Sequence, residues 1–262
     1  MRIFNFLLIA TIAFVAGCSS LDWDPTKDWT VEKFYSEAHE KMEDGNYEEA
    51  IKTYEKLLSR FPYGRYAEQS QLEIAYSYYK SEEPALGVAA VDRFLRQYPT
   101  HPNADYAYYL KGVINFSGER DLVGSWFGGK DDDLADRDQK SLRDAYNAFR
   151  ELVDRYPKSR YAEDARKRLT FLFNIQARHE VRVAQFYYER KAYVAAVNRC
   201  KYALENYPRS PSIEQALALQ AKSYKMMGLD SLMGDTLRVL RMNFPTSPYI
   251  AEVEALSEPK DS

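Results

Sequence analysis

Residues 44–62 read D-G-N-Y-E-E-A-I-K-T-Y-E-K-L-L-S-R-F-P, and this stretch decides the fold. Its apolar residues recur three and four positions apart, which places them on one face of a helix over Tyr47–Arg60. Pro62 lacks a backbone N–H and cannot continue that helix. Gly45 suits the left-handed backbone in which many helices end. The stretch therefore predicts a helical hairpin, with a first helix at 34–43, a turn, and a second helix up to Phe61-Pro62.

The same aromatic-proline helix end occurs four more times. It is found at 98–99, 156–157, 207–208 and 244–245, so that successive prolines lie 37, 58, 51 and 37 residues apart. A helical hairpin repeated at this interval resembles the tetratricopeptide repeat (TPR), whose period is about 34 residues. The sequence predicts an all-α fold, an α-solenoid of five TPR helix pairs. We assign them to residues 30–62, 66–99, 102–157, 161–208 and 211–245.

Two of the five repeats are longer than the standard unit. In the third, helices at 103–116 and 139–155 are separated by an inserted loop at 117–138 that is rich in glycine and aspartate. In the fourth, residues 161–190 contain neither glycine nor proline, which predicts one helix of about twice the usual length. Residues 246–262 are assigned to a C-terminal tail, which is polar from Ser257 onwards.

The N-terminal residues have the three-part form of an export signal. Arg2 precedes an apolar run at 3–15 that is too short for a permanent transmembrane helix and that ends at Ala16-Gly17-Cys18. This ending resembles a bacterial lipobox; an ordinary secretory signal with a chance cysteine is the alternative. The resemblance implies removal of residues 1–17, covalent N-acyl and S-diacylglycerol lipid on Cys18, and a tether at 18–29.

The residue after the lipobox cysteine indicates the membrane to which the protein is sorted. Ser19 stands there instead of aspartate, a pattern that suggests sorting to the outer membrane in Gram-negative bacteria. We expect the protein at the inner leaflet of that membrane, facing the periplasm on its lipid anchor. With Cys18 acylated, Cys200 has no intrachain partner, and its place in an apolar helical run predicts a buried thiol.

Composition and motifs argue against nucleic acid and against catalysis. The net charge is −3 and the basic residues are spread along the chain, whereas nucleic-acid binding needs a concentrated basic face. Gly124, Gly129 and Lys130 approximate a phosphate-binding loop, but Asp131 replaces the required Ser or Thr and no strand precedes. The acidic run at 131–138 lacks the central glycine of a calcium loop. We expect no enzyme activity, no metal and no cofactor other than the lipid.

A TPR solenoid without a catalytic site is expected to bind partners through its concave face. Repeats one and two carry more tyrosines than a core requires. Their rings can stack on a bound peptide, and a nearby cation, Arg65 or Lys80, can meet a terminal carboxylate, although a solvated surface charge is the alternative for each cation. The candidate residues of this groove are Tyr35, Tyr63, Arg65, Tyr66, Tyr78 and Tyr79.

Four stretches resemble the BamD (ComL-type) lipoprotein family of the outer-membrane β-barrel assembly (BAM) complex. They are D-G-N-Y-E-E-A-I (44–51), R-F-P-Y-G-R-Y-A-E-Q (60–69), Y-P-T-H-P-N-A-D-Y (98–106) and Y-V-A-A-V-N-R (193–199). The resemblance implies that residues 30–99 receive the C-terminal targeting segments of unfolded β-barrel proteins. It further implies that residues 161–245 dock on the last POTRA domain of BamA, and that other BAM lipoproteins are partners.

The resemblance also assigns a docking residue. In the family the arginine that ends V-N-R lies at the BamA contact, and here that residue is Arg199. Phe186, Tyr187 and Arg190 precede the turn of the same repeat and would flank the contact. Two alternatives stay open: Arg199 as a surface arginine paired with a nearby glutamate, and the whole protein as a periplasmic TPR lipoprotein that coordinates envelope or cell-wall enzymes. An enzyme with its site around 131–138 is a third.

Overall fold

The computed structural model describes residues 24–117 and 139–257, and within these residues it contains eleven α-helices and no strand. Cys18, the signal segment, residues 118–138 of the insertion and residues 258–262 lie outside this range. In chain order the helices are α1 (Val31–Glu43), α2 (Tyr47–Arg60), α3 (Arg65–Lys80), α4 (Pro84–Gln97), α5 (Ala104–Ser117), α6 (Gln139–Arg155), α7 (Ala162–Glu189), α8 (Tyr193–Asn206), α9 (Ile213–Met226), α10 (Asp230–Asn243) and α11 (Tyr249–Ser257).

Each helix packs on the next, and α1 to α10 form five pairs. The first helices of neighbouring pairs also contact each other, namely α1 with α3, α3 with α5, and α7 with α9. The predicted all-α TPR solenoid is confirmed. No helix in the described ranges is long and apolar enough to cross a membrane.

The helix bounds follow the sequence closely. Helices α2 and α6 begin and end at the predicted residues, and α7 is one helix of 28 residues. The first helix begins three residues earlier than predicted, because the Thr30 hydroxyl accepts a hydrogen bond from the Lys33 N–H at 3.3 Å and caps the helix there. Gly45, in the turn between α1 and α2, has the expected left-handed backbone with φ 80°.

Every pair ends with the same hydrogen bond at its aromatic-proline step. The N–H of the aromatic residue donates to the carbonyl four residues earlier at 2.7–2.8 Å, and the proline that follows stops the ladder. The aromatic residues leave the helical region, with φ between −128° and −135° at Phe61, Tyr98, Tyr207 and Phe244. Their rings are half-buried. One residue thus ends a helix and also packs against the solenoid.

The end of the tether is attached to repeat one. Arg60 of α2 pairs with the Asp24 carboxylate and donates to the Thr26 carbonyl. Its guanidinium carbon also lies 5.2 Å from the centroid of the Phe34 ring, and Trp29 packs edge-on to that ring at 5.1 Å. Residues 24–29 are therefore fixed to the first helix pair.

A short helix lies within the segment that the sequence assigned to the tail. Val253 of α11 is buried, and Tyr249 and Ile250 pack on the same core cluster as α9 and α10. Lys222 and Arg241 bind Glu252 and Glu254 through ion pairs. Helix α11 thus covers a face that the last TPR pair would otherwise expose, as terminal capping elements do in repeat proteins.

We expect Gly112→Ala to destabilise the protein. A Cβ at Gly112 of α5 would lie 2.5 Å from the ring of Phe149, which is fully buried on α6. Overpacking of this kind costs about 1–3 kcal/mol of unfolding free energy. Gly234→Ala in α10 is the matched control, because a Cβ there meets nothing within 4 Å. That change should raise the free energy of unfolding by about 0.5–1 kcal/mol. Urea unfolding measures both; equal effects of the two changes would contradict the close α5–α6 packing.

Candidate functional site

The face of α3 that adjoins α1 and α5 carries polar and aromatic side chains. Tyr66, Gln69, Glu73 and Tyr76 are spaced by three, four and three residues, so their side chains share that face. Tyr35 of α1 lies beside it, with its ring 5.2 Å from that of Tyr66. The packing of α1, α3 and α5 on one another therefore assembles a tyrosine cluster around a single carboxylate.

Glu73 is the charged centre of this cluster. It lies near Gln69 of the same helix and near the Tyr35 hydroxyl. Burial raises the pKa of the Glu73 carboxyl above its usual value of 4.5. Burial, and secondarily the negative charge of Glu73, also raise the pKa values of the Tyr35, Tyr54 and Tyr106 hydroxyls. These tyrosines stay protonated at neutral pH and act there as neutral hydrogen-bonding groups.

From this cluster an open groove of about 770 Å³ runs towards the junction of repeats three and four. Tyr161, just before α7, stacks on Tyr109 at 4.8 Å and lies 5.6 Å from Tyr106. The Tyr109 hydroxyl donates to Asp164 at 2.8 Å. The lining residues are Gln69, Leu72, Glu73, Pro102, Asn103, Asp105, Tyr106, Lys158, Ser159, Arg160 and Tyr161.

The structure brings some of the predicted groove residues together and separates others. Tyr35 and Tyr66 lie side by side, and the Arg65 guanidinium carbon is 5.2 Å from the Tyr66 ring centroid. The ring centroids of Tyr79 and Tyr76 are 6.3 Å apart. Tyr63 lies in the turn before α3 and is 85% exposed.

Tyr78 lies on another side of α3. Its Cβ faces Gly87 of α4, and it lies near the charges of Glu55 and Arg93. It therefore packs towards α2 and α4, away from Glu73. A helix turns 100° per residue, so adjacent tyrosines such as Tyr78 and Tyr79 cannot share one face.

Sequence reasoning missed the groove residues Glu73, Tyr106, Arg160 and Tyr161. The spacing of Glu73 from Tyr66 was a readable signal, since it marks one helix face. The pairing of Tyr106 with Tyr161 was not readable, because it joins residues 55 positions apart through the stacking of repeats.

Replacing Glu73 with glutamine should stabilise the protein at neutral pH. A carboxyl whose pKa is raised in the folded state favours folding at low pH, and this contribution is lost as pH rises through the raised pKa. We therefore expect Glu73→Gln to have the higher unfolding free energy at pH 7 and to lose this advantage towards pH 4.5. Glu40→Gln, at an exposed site on α1, is the control. An advantage that does not depend on pH would contradict the buried, ionised carboxylate.

At the other end of the solenoid, three of the predicted docking residues lie together at the end of α7. The Arg190 guanidinium carbon is 3.5 Å from the centroid of the Phe186 ring, and the rings of Phe186 and Tyr187 are 5.7 Å apart. Phe186 is 48% exposed. A groove of about 630 Å³ lies beside them, between α7 and Gln215 of α9. An exposed aromatic ring held by an arginine is a typical anchor of a protein interface.

Arg199 lies on α8, outside the lining of that groove. Its Nη1 donates to Glu180 of α7 at 3.0 Å. Glu180 is 8% exposed, whereas the Arg199 side chain is 45% exposed. The pairing that the sequence left open as an alternative is therefore present. Because Glu180 and Tyr187 are seven residues apart on α7, Arg199 contacts the same helix face that carries Tyr187.

The turn between α7 and α8 adds an apolar surface to this end. A hollow of about 460 Å³ is lined by Lys191, Ala192, Tyr193, Val194, Ala195, Asn198 and Met227. Val194 is 64% exposed and contributes an apolar side chain to this hollow. Behind this surface Cys200 is fully buried, as predicted, and burial raises the pKa of its thiol to about 12. The described residues contain no cluster of His, Cys, Asp and Glu that could hold a metal ion.

We expect Arg199→Glu to lower the free energy of unfolding in addition to reversing the charge. The change leaves the buried Glu180 without its cation and places a second carboxylate beside it. Loss of one partner of such a charged hydrogen bond costs about 1–2 kcal/mol when one side is half-exposed. Arg199→Gln keeps a donor for Glu180 and should cost less. Urea unfolding of both variants checks this; equal stability of Arg199→Glu and the parent protein would show that the pair contributes nothing.

Comparison of the sequence with known proteins identifies the family to which it is similar. The model of the family described as YfiO, outer membrane lipoprotein, matches residues 27–240. The outer membrane protein assembly factor BamD of Neisseria gonorrhoeae is 43% identical over 234 residues, 89% of this chain and 86% of the relative. The factor of the same name from Xylella fastidiosa (strain Temecula1) is 38% identical over 245 residues, 93% and 83% of the two chains. A crystal structure of TPR-like repeats of a Podosopora anserina putative kinesin light chain has a TM-score of 0.40 at 11% identity, covering 88% and 97%.

Proposed function

This chain belongs to the BamD family of outer membrane protein assembly factors, and we propose that it is a non-catalytic, lipid-anchored scaffold of the BAM complex. It captures the C-terminal targeting segments of unfolded β-barrel proteins with its first repeats. It docks through its last repeats on the last POTRA domain of BamA, which inserts those proteins into the outer membrane. The observation that supports this proposal is a pair of separate grooves with aromatic and charged linings, one between α3 and the start of α7 and the other at the end of α7.

The first surface has the chemistry to hold an extended peptide. Tyr35, Tyr66, Tyr76 and Tyr106 present rings for apolar side chains, while their hydroxyls and the Glu73 carboxylate can pair with backbone amides. Extended peptides need such partners because their own backbone N–H groups are otherwise unpaired. Captured segments that alternate apolar and polar residues would place one side on the rings and the other in water.

The second surface has the chemistry of a protein interface. Phe186 and Val194 are exposed apolar side chains, and Arg190 and Arg199 are cations at its edge. Arg199 is held in place by the buried Glu180, so fewer rotamers are lost when a partner carboxylate binds it. We propose that BamA supplies that carboxylate, and that other BAM lipoproteins bind elsewhere on the solenoid.

A lipid on Cys18 would hold repeat one close to the membrane. Asp24 is fixed to Arg60 of α2, and it follows Cys18 by six residues. A fully extended chain covers about 3.3–3.6 Å per residue, so the anchor lies within roughly 20 Å of the first repeat. Captured chains would therefore be kept beside the outer membrane. Their transfer to BamA then follows from differences in affinity between the two binding states.

Docking on BamA can be tested in detergent-solubilised membranes with the acylated protein. We expect Arg199→Gln to reduce the recovery of BamA by about tenfold, the loss of one charge-assisted contact. Arg238→Gln is the control, because Arg238 is also an exposed arginine paired with a carboxylate, Asp235, but lies on α10. Full BamA recovery with Arg199→Gln would refute the docking assignment. Cell-wall enzymes recovered in place of BamA would refute the BAM function itself.

A further inference from the structure

The charges of the groove are arranged along its length. The α3 wall carries Glu73, surrounded by tyrosine rings from α1, α2 and α5. The other end of the groove is the segment between α6 and α7, where Lys158 and Arg160 are exposed. A peptide carboxylate is repelled by Glu73 and attracted by the two cations, so the two ends of the groove are not equivalent for a bound chain.

The second carboxylate of the lining, Asp105, is already engaged. It accepts a hydrogen bond from the Ser159 hydroxyl at 2.6 Å and one from the Tyr106 N–H at 2.7 Å. The bond from Ser159 ties the start of α5 to the segment before α7. Asp105 therefore serves the junction of the repeats, and the cations on the rim remain near it without forming an ion pair with it in the described structure.

Arg160 is held in position by an aromatic stack. Its guanidinium carbon lies 4.8 Å from the Tyr161 ring centroid, and its Nη2 donates to the Tyr161 hydroxyl at 2.6 Å. Tyr161 is itself stacked on Tyr109 at 4.8 Å. The bond to Tyr161 uses one of five guanidinium donors, and a planar guanidinium can bind a carboxylate through two parallel bonds. The neighbouring rings of Tyr106 and Tyr161 suit an aromatic side chain next to that carboxylate.

The cations that the sequence suggested for this task lie elsewhere. Arg65 stands over Tyr66, and Lys80 stands 5.9 Å from the Tyr47 ring centroid. Neither lines the groove. Arg65 is also near Tyr35, on the side of the groove that Glu73 makes unfavourable for a second carboxylate.

We propose that Lys158 and Arg160 bind the terminal carboxylate of the captured chain, and that Glu73 at the opposite end of the groove fixes the direction in which the chain lies. The substrate-binding surface then extends from repeats one and two to the junction of repeats three and four. The last aromatic side chain of the substrate packs at Tyr106 and Tyr161, and the preceding residues run towards α1. This inference is built on the proposed capture of C-terminal segments.

The test uses a synthetic peptide of ten residues that alternates apolar and polar positions and ends in phenylalanine. It is made as the free acid and as the C-terminal amide, and binding to the full-length protein is measured by fluorescence anisotropy. We expect the wild-type protein to bind the acid roughly tenfold more tightly than the amide, a factor that falls with added salt. Lys158→Gln with Arg160→Gln should lower the affinity for the acid to that for the amide and leave the amide unaffected.

The matched control is Arg65→Gln with Lys80→Gln, which removes the same charge from repeats one and two. It should keep the preference for the acid. Loss of the preference in this control and its retention in the Lys158 and Arg160 variant would overturn the inference while leaving peptide capture intact. Equal binding of acid and amide by the wild-type protein would also overturn it. Failure of both peptides to bind would overturn the proposed capture function together with the inference.

Discussion

The aromatic-proline step at the end of each helix pair is the constraint from which the solenoid follows. The proline cannot donate to the helix ladder and forces the preceding aromatic residue out of the helical region, which is why φ is so similar at Phe61, Tyr98, Tyr207 and Phe244. Because the chain leaves every pair in the same way, the first helices α1, α3 and α5 stack on one another. The tyrosine groove is the surface that this stacking produces.

Helix α7 joins the two proposed binding surfaces. Its 28 residues correspond to about 42 Å at 1.5 Å per residue. Tyr161 and Arg160 lie just before its start, at the rim of the peptide groove, and Phe186 and Arg190 lie at its end, beside the docking surface. A single uninterrupted helix connects them, so the extra length of repeat four separates the two sites by a fixed distance. The geometry therefore leaves room for both proposed partners to be bound at once.

Each surface also depends on one carboxylate that the fold shields from water, partly for Glu73 and almost fully for Glu180. Glu73 organises the tyrosine cluster, and Glu180 orients Arg199. Burying a carboxylate costs free energy unless it is hydrogen-bonded or paired. Glu180 is paired with Arg199 of the neighbouring helix, and Glu73 lies near the Tyr35 hydroxyl of α1. Such groups contribute little to a core, so their presence is more readily explained by recognition than by stability.

The sequence alone determined the helix pairs, their bounds and the lengthened fourth repeat, because apolar spacing, proline and glycine act on local backbone geometry. It also indicated that Cys200 is buried. Only the tertiary structure decided which side chains share a surface. Tyr78 and Tyr79 are neighbours in sequence but lie on different sides of α3, and Tyr106 meets Tyr161 across 55 residues. Helix α11 is stabilised by its packing on α9. These outcomes depend on contacts between side chains of different helix pairs, which the local spacing of apolar residues does not specify.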